Sequence, residues 1–229
     1  MEIINESSLA ATIDNLNQLF FEGKKLAANE KTKAAKWIAS RQGLDGSYWE
    51  MFAPLPSDYK RGIRLFTGEI VTSGAGVGHF LGEESLRALA LLRVNDEAVK
   101  SAITSARSGL QKAVTRSYSR QNYLPGIYCC AKCSVAYWRN LSSEGVDKNR
   151  KILNSGLKYL KSQRDRNGKW KKFPFWYTVL SLSDINVKAA SEELGYAEPV
   201  LERIAKRTKI QNKYEIRKKA LAERVLSVL

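Results

Sequence analysis

Apolar residues recur every three to four positions along most of this chain, a period that fits helix and little else. From Glu83 onward the pattern is nearly unbroken. Glu83–Val94 is rich in Leu and Ala, and Ala98, Ala102, Ala106, Leu110 and Ala113 mark one face of a helix over Glu97–Arg116. Tyr128–Leu141, a helix opened by Asp147 and running to about Gln163, and Phe173–Leu182 follow, and two or three basic amphipathic helices finish the chain. Upstream, Leu9, Ile13, Leu16 and Phe20 share a face, with Ser7 or Ser8 placed to cap that helix and Gly23 placed to end it. A second helix is expected over Glu30–Gln42. Val71-Thr72 and Ile127-Tyr128 are too short to found a sheet.

The fold class is therefore all-α, in a single domain of 229 residues. Its expected parts are N-terminal helices over 1–42, a long loop over 43–82, a hairpin core over 83–196 and basic C-terminal helices over 197–229. Strongly apolar segments (Glu83–Val94, Tyr128–Leu141, Phe173–Leu182) alternate with amphipathic ones (Glu97–Arg116, Lys148–Gln163). That alternation suits two layers, with inner helices covered all round and outer helices wet on one side.

Charge is unevenly placed. Residues 1–97 carry 11 Lys/Arg and 13 Asp/Glu, whereas residues 98–229 carry 27 and 10. A field of that size attracts polyanions such as nucleic acid or anionic lipid headgroups, although an ordinary solvated basic surface looks the same in sequence. No window is apolar for the ~18 residues a membrane span needs, and Met1–Ala10 does not read as a secretory signal. Cys129, Cys130 and Cys133 are an odd number crowded into five positions, which is no disulfide framework and points to a reducing, cytoplasmic setting. Cys130 and Cys133 have ligand spacing, but a second cysteine pair is missing. The trio reads as small core residues, with no metal and no cofactor implied.

Two segments repeat. Trp37-Ile38-Ala39-Ser40-Arg41-Gln42 leads to Asp45-Gly46-Ser47-Tyr48-Trp49, and Tyr159-Leu160-Lys161-Ser162-Gln163 leads to Asn167-Gly168-Lys169-Trp170. In each, an aromatic–aliphatic pair near a helix end is followed by Gln, a tight Asp/Asn-Gly turn and an aromatic ring. The Gln amide is expected to satisfy carbonyls at the helix end, with the ring covering it. The pattern resembles the Gln-Trp repeat of the terpenoid cyclase and protein prenyltransferase superfamily. It departs from that family's spacing, for Tyr48 takes the aromatic place in the first unit and the second has one residue too many. The resemblance implies a partial α/α toroid of about four to five helical hairpins around an aromatic cavity for a small apolar or amphipathic ligand. The superfamily's Asp-x-Asp-Asp acid, Asp-Asp-x-x-Asp metal and zinc-binding Asp-x-Cys motifs are all missing, so none of its catalytic residues carries over and whether the chain is an enzyme stays open.

Within that expectation Trp37, Tyr48, Trp49, Trp138, Trp176 and Tyr177 are the candidate ligand-binding rings. Arg64, Glu69, His79 and Glu83 are the candidate acid–base cluster, because the 43–82 loop would stand at the cavity mouth and Glu83 lies one helical turn beyond His79. The mixture of Lys169, Lys171 and Lys172 with aromatics, and the basic runs Arg203–Lys209 and Lys213–Lys219, carry the alternative of a polyanion-binding surface.

Overall fold

The computed structural model describes residues 2–121 and 124–229. The described residues hold ten α-helices, one turn of 3-10 helix and one pair of two-residue strands, so the chain is all-α. They group into two compact units. Unit 1 takes the chain up to Leu65 together with Ile70–Gln121, and unit 2 takes Phe66–Glu69 and the C-terminal part to Leu229.

Unit 1 contains α1 (Leu9–Glu22), α2 (Ala28–Ala39), the 3-10 turn Tyr48–Glu50, α3 (Pro56–Lys60), β1 (Ile63–Arg64), β2 (Ile70–Val71), α4 (Gly74–Leu92) and α5 (Glu97–Gln121). The strands pair antiparallel with Ile63 opposite Val71. The expected caps of α1 are present: Ser8 Oγ accepts from the Ala11 N–H, and Gly23 turns left-handed at φ 67°. A second acceptor reinforces that start. Buried Asp58 takes the Ser8 hydroxyl at 2.6 Å and the N–H groups of Leu9 and Leu55 at 3.1 and 2.8 Å, which fastens α3 to the positive end of α1. The hub is α4, buried almost continuously from Val77 to Leu89 and packed on α1, α2, α3 and α5. Two of its buried polar residues meet Asn17 on α1: Arg87 donates to Asn17 at 2.8 Å, and Asn17 donates to Glu84 at 3.0 Å.

The stretch 43–82 is not one loop. It holds the 3-10 turn, α3 and the strand pair, and its last nine residues are already α4, which starts at Gly74 rather than Glu83. Gly76, Gly78 and Gly82 are weak helix formers, which conceals the start in the sequence. Packing explains them. A Cβ at Gly78 would lie 3.1 Å from Tyr48 Cβ, and one at Gly82 would lie 2.8 Å from Met51 Cε, so bare backbone is what lets the loop lie against the helix.

Unit 2 contains α6 (Ala131–Ser143), α7 (Val146–Ser162), α8 (Phe175–Ser183), α9 (Lys188–Ala205) and α10 (Lys213–Leu226). Helices α6/α7 and α8/α9 are hairpins lying side by side, α6 against α8 and α7 against α9, so within this unit the apolar helices form one row and the amphipathic helices another. Trp138 is fully buried on α6. Its indole donates to the Gly126 carbonyl at 2.5 Å and stacks on Phe173 with centroids 5.7 Å apart. Gly156 on α7 leaves the space the indole occupies. Arg139 joins α6 to the end of α8 through Asp184 at 2.8 Å.

The two sequence repeats share a backbone feature that their glutamines do not supply. Isolated antiparallel bridges join Gln42 to Phe52 and Arg164 to Trp170. Gln42 Nε2 donates to the Glu50 carbonyl and Gln163 Nε2 to the Ser162 hydroxyl, so neither amide closes its helix end as expected. The chain returning from the turn does that work, with the Lys171 N–H bonded to the Gln163 carbonyl at 2.8 Å and the Ala53 N–H to the Arg41 carbonyl at 2.9 Å.

Two helical glycines test the packing in opposite directions. A Cβ on Gly195 of α9 meets nothing, whereas one on Gly109 of α5 would run into the backbone carbonyl of Trp49, itself left-handed at φ 51°. Gly195→Ala is expected to raise stability by about 1 kcal/mol. Gly109→Ala should lower it by about 2 kcal/mol, since overpacking against backbone outweighs the same propensity gain. Urea unfolding midpoints of the two variants should move to opposite sides of the parent protein.

Candidate ligand-binding cleft

One wall of a cleft in unit 2 is built outward from one carboxylate. Glu193 sits on α9 at 1% exposure and takes three charge-assisted or polar bonds: Arg164 Nε at 3.1 Å, Arg164 Nη2 at 2.9 Å and the Trp170 indole N–H at 2.8 Å. The two-pronged guanidinium and the indole together satisfy the buried charge. The Arg164 guanidinium also lies 4.2 Å from the centre of the Tyr196 ring. Trp170, so fixed, stacks on Phe175 at the start of α8, centroids 5.8 Å apart and planes 26° apart. Phe175 in turn meets Trp176 edge-on at 5.1 Å.

The turn between Arg164 and Trp170 is held by Asp165, whose Oδ1 accepts from the N–H groups of Asn167 and Lys169 and from the Tyr196 hydroxyl. The Asn167 N–H, with help from the others, holds the Asp165 carboxyl below the usual carboxylate range. The N-terminus of α8 is tied down from the other side. Glu69 accepts the Tyr177 N–H at 2.8 Å and the Thr67 hydroxyl, and Gly68 at φ 97° fits flat against Tyr214 of α10. Arg217 of α10 is buried between Phe66, 4.1 Å below its guanidinium, and Tyr214, while it donates to the Phe66 carbonyl at 3.1 Å.

These contacts frame a cleft of about 390 Å³ among α8, α9 and α10, within the range of small-molecule sites. Phe175, Trp176, Val200, Ile204 and Ile210 give it an apolar lining. Lys169, Arg207, Lys209, Lys218 and Lys219 line it too, with a single carboxylate, Glu215. Lys219 and Glu215 have local partners: Lys219 donates to the Arg207 carbonyl, and Glu215 accepts the Gln211 N–H as part of the α10 cap with Asn212. Among the described residues the ion pairs of this region, Lys161–Glu192, Arg164–Glu193, Lys206–Glu202 and Lys219–Glu223, do not involve Lys169, Arg207, Lys209 or Lys218, and the Lys169 ammonium lies 5.8 Å from the centre of the Phe175 ring. The lining thus combines apolar side chains with an excess of cations.

Of the six candidate rings, Trp176 lines this cleft. Trp138 and Tyr177 are buried in the body of unit 2, and Tyr177 has Arg139 5.9 Å over its ring. Trp37, Tyr48 and Trp49 belong to unit 1, all half-buried, with Trp49 under Arg116 at 5.4 Å and Tyr48 against His79 at 3.6 Å. The four acid–base candidates are spread out. His79 and Glu83 are one turn apart and buried on α4, Arg64 is exposed on β1, and Glu69 is engaged at the start of α8. Val200 and Ile210 lie outside every site that the sequence suggests, whereas Ile204 and Arg207 fall in the basic run Arg203–Lys209 that the sequence marks as a surface for polyanions. The cysteines also differ from expectation: only Cys133 is buried, whereas Cys129 and Cys130 are exposed. Helix α6 starts at Ala131, three residues later than the apolar pattern implies, which leaves those two thiols ahead of it.

No helix among the described residues is long and apolar enough to cross a membrane. No protein-family model, curated protein or solved structure matches this chain.

Two outcomes check the wall. Glu193→Ala strands the Arg164 charge and the Trp170 N–H, and should cost about 3 kcal/mol in urea unfolding, partly relieved because Arg164 reaches solvent. Asp165 contributes stability that is full above its ordinary unfolded pKa and is lost as pH falls through its depressed folded value. The stability gap between the parent and Asp165→Asn should therefore be constant near neutrality and shrink in acid below about pH 4.

Proposed function

We propose that unit 2 binds an amphipathic anion, a molecule with an apolar body and a carboxylate or phosphate head, in the cleft among α8, α9 and α10. The observation that carries this reading is that apolar side chains (Phe175, Trp176, Val200, Ile204, Ile210) and the cations Lys169, Arg207, Lys209 and Lys218 line one cleft. An apolar body of a few buried methylenes contributes about 0.8 kcal/mol each, and the cations contribute attraction that salt weakens. Neither term is large alone, so the ligand that fits best has both. The resemblance of residues 37–49 and 159–170 to the Gln-Trp repeat, and the paired hairpins α6/α7 and α8/α9, support placing the chain as a divergent α/α-toroid module that binds without that superfamily's catalytic motifs.

Dodecyl phosphate, kept below its micellar concentration, is a suitable probe, read by quenching of tryptophan fluorescence. Saturable binding is expected, with inorganic phosphate and dodecyl maltoside each at least about tenfold weaker, since each lacks one of the two contributions. Trp176→Ala should remove most of the affinity and the double change Arg207→Glu/Lys218→Glu about tenfold or more of it, with both variants folded by circular dichroism. Equal binding of dodecyl phosphate to the parent and to Trp176→Ala would rule the cleft out. Tight, steeply salt-dependent binding of a single-stranded oligonucleotide with no dodecyl phosphate binding would favour the polyanion reading instead.

A further inference from the structure

A second cleft of about 600 Å³ lies elsewhere in unit 2, lined by Cys129, Cys130, Lys132, Tyr159, Lys172 and Phe173 among others. The start of α6, Ala131 and Lys132, forms part of its lining. Cys130 is the N-cap residue of that helix, exposed, with its sulfur 3.5 Å from the sulfur of buried Cys133 one turn on. The Cys129 and Cys133 sulfurs lie within 4.8 Å of each other. Two residues that border the cleft, Cys129 at φ 56° and Lys172 at φ 65°, are held in the left-handed region that residues with a Cβ seldom adopt. Such strain costs about 1 kcal/mol or more and is concentrated at functional sites. We infer that Cys130 and Cys133 form a redox-active dithiol that exchanges with small anionic disulfides entering this cleft.

The arrangement divides the labour as exchange requires. Cys130 is accessible and stands where helix N–H groups favour a thiolate, whereas Cys133 is shielded and within reach as the resolving thiol. Contacts with the Cys129 and Cys133 thiols, aided by the backbone N–H groups of Cys133 and Lys132, hold Cys130 far below the ordinary thiol range against the opposing effect of burial. Lys132 and Lys172 add positive charge at the cleft, which favours both the thiolate and an anionic partner. In the first step the Cys130 thiolate attacks one sulfur of the disulfide R–S–S–R. The S–S bond breaks, one RS⁻ departs and takes up a proton, and Cys130 carries the mixed disulfide. In the second, Cys133 loses its proton and attacks Cys130 Sγ, which expels the second thiol. The dithiol is oxidised by two electrons, the small disulfide is reduced by two, and excess thiol reverses both steps.

Glutathione disulfide is the probe, applied to the full chain at pH 7, followed by acid quench, alkylation of remaining thiols and peptide mass mapping. The parent should lose two alkylatable thiols, gain no glutathione and yield a Cys130–Cys133 linked peptide. Cys133→Ser should accumulate one glutathione on Cys130, and Cys130→Ser should react at least about tenfold more slowly. A neutral disulfide, bis(2-hydroxyethyl) disulfide, should react less readily than glutathione disulfide with the parent, and Lys132→Glu/Lys172→Glu should erase that preference. A disulfide formed through Cys129, stable glutathione on the parent, or a parent whose thiols all resist oxidation overturns the assignment. The parent's own disulfide map decides the matter even where a variant folds poorly.

Discussion

A carboxylate buried to 1% exposure cannot stand alone, and much of unit 2 follows from how Glu193 is satisfied. Its partners, Arg164 and the Trp170 indole, both come from the tight turn after α7. Docking them on α9 fixes the turn, the turn fixes the Trp170 ring, and the ring sets Phe175 and the entry into α8. The proposed anion cleft starts there, with Trp176 next in the chain. The charge is retained at a cost in desolvation that an apolar substitute would avoid, and what it gives in return is direction: a guanidinium fork and an indole N–H admit one geometry, whereas leucines admit many.

The same logic, with different chemistry, runs through unit 1. Helix α4 is covered on every side, so its neighbours approach either against bare glycine backbone, as Tyr48 and Met51 do, or through polar contacts, as Asn17 does with Glu84 and Arg87. Asp58 is the counterpart of Glu193 on a smaller scale, one buried carboxylate that orders a loop helix against the start of α1. Where unit 2 presents clefts to solvent, the acid–base candidates of unit 1, His79 and Glu83, lie inside it.

The two proposed sites of unit 2 make different demands. The cleft among α8, α9 and α10 needs only shape, greasiness and cations, and the basic segment 206–210 between α9 and α10 supplies Arg207, Lys209 and Ile210 to it. The thiol site needs two sulfurs within bonding reach and unequal access to them, which a helix N-terminus following a left-handed residue provides. The first reads a steady property of the surface and the second a geometry held under strain.

The sequence by itself determined the helices and several of their ends, because periodicity, Ser8 and Gly23 act through neighbours a few residues away. It marked the turns after Gln42 and Gln163 as related, through Gly46 and Gly168, both left-handed at φ 85° and 78°. It misplaced the start of α4, because there a local weakness for helix is overridden by close packing of Tyr48 and Met51. It assigned the helix-closing role to Gln42 and Gln163, since an amide that could reach a carbonyl cannot be told from one that does. Only tertiary structure chose Glu193, 23 residues beyond Trp170, as the indole's partner, and brought Ile204, Arg207 and Ile210 beside Phe175 and Trp176. Local propensity acts over a turn or two of chain. A pocket is decided by which distant side chains can share one volume and leave no buried charge unanswered.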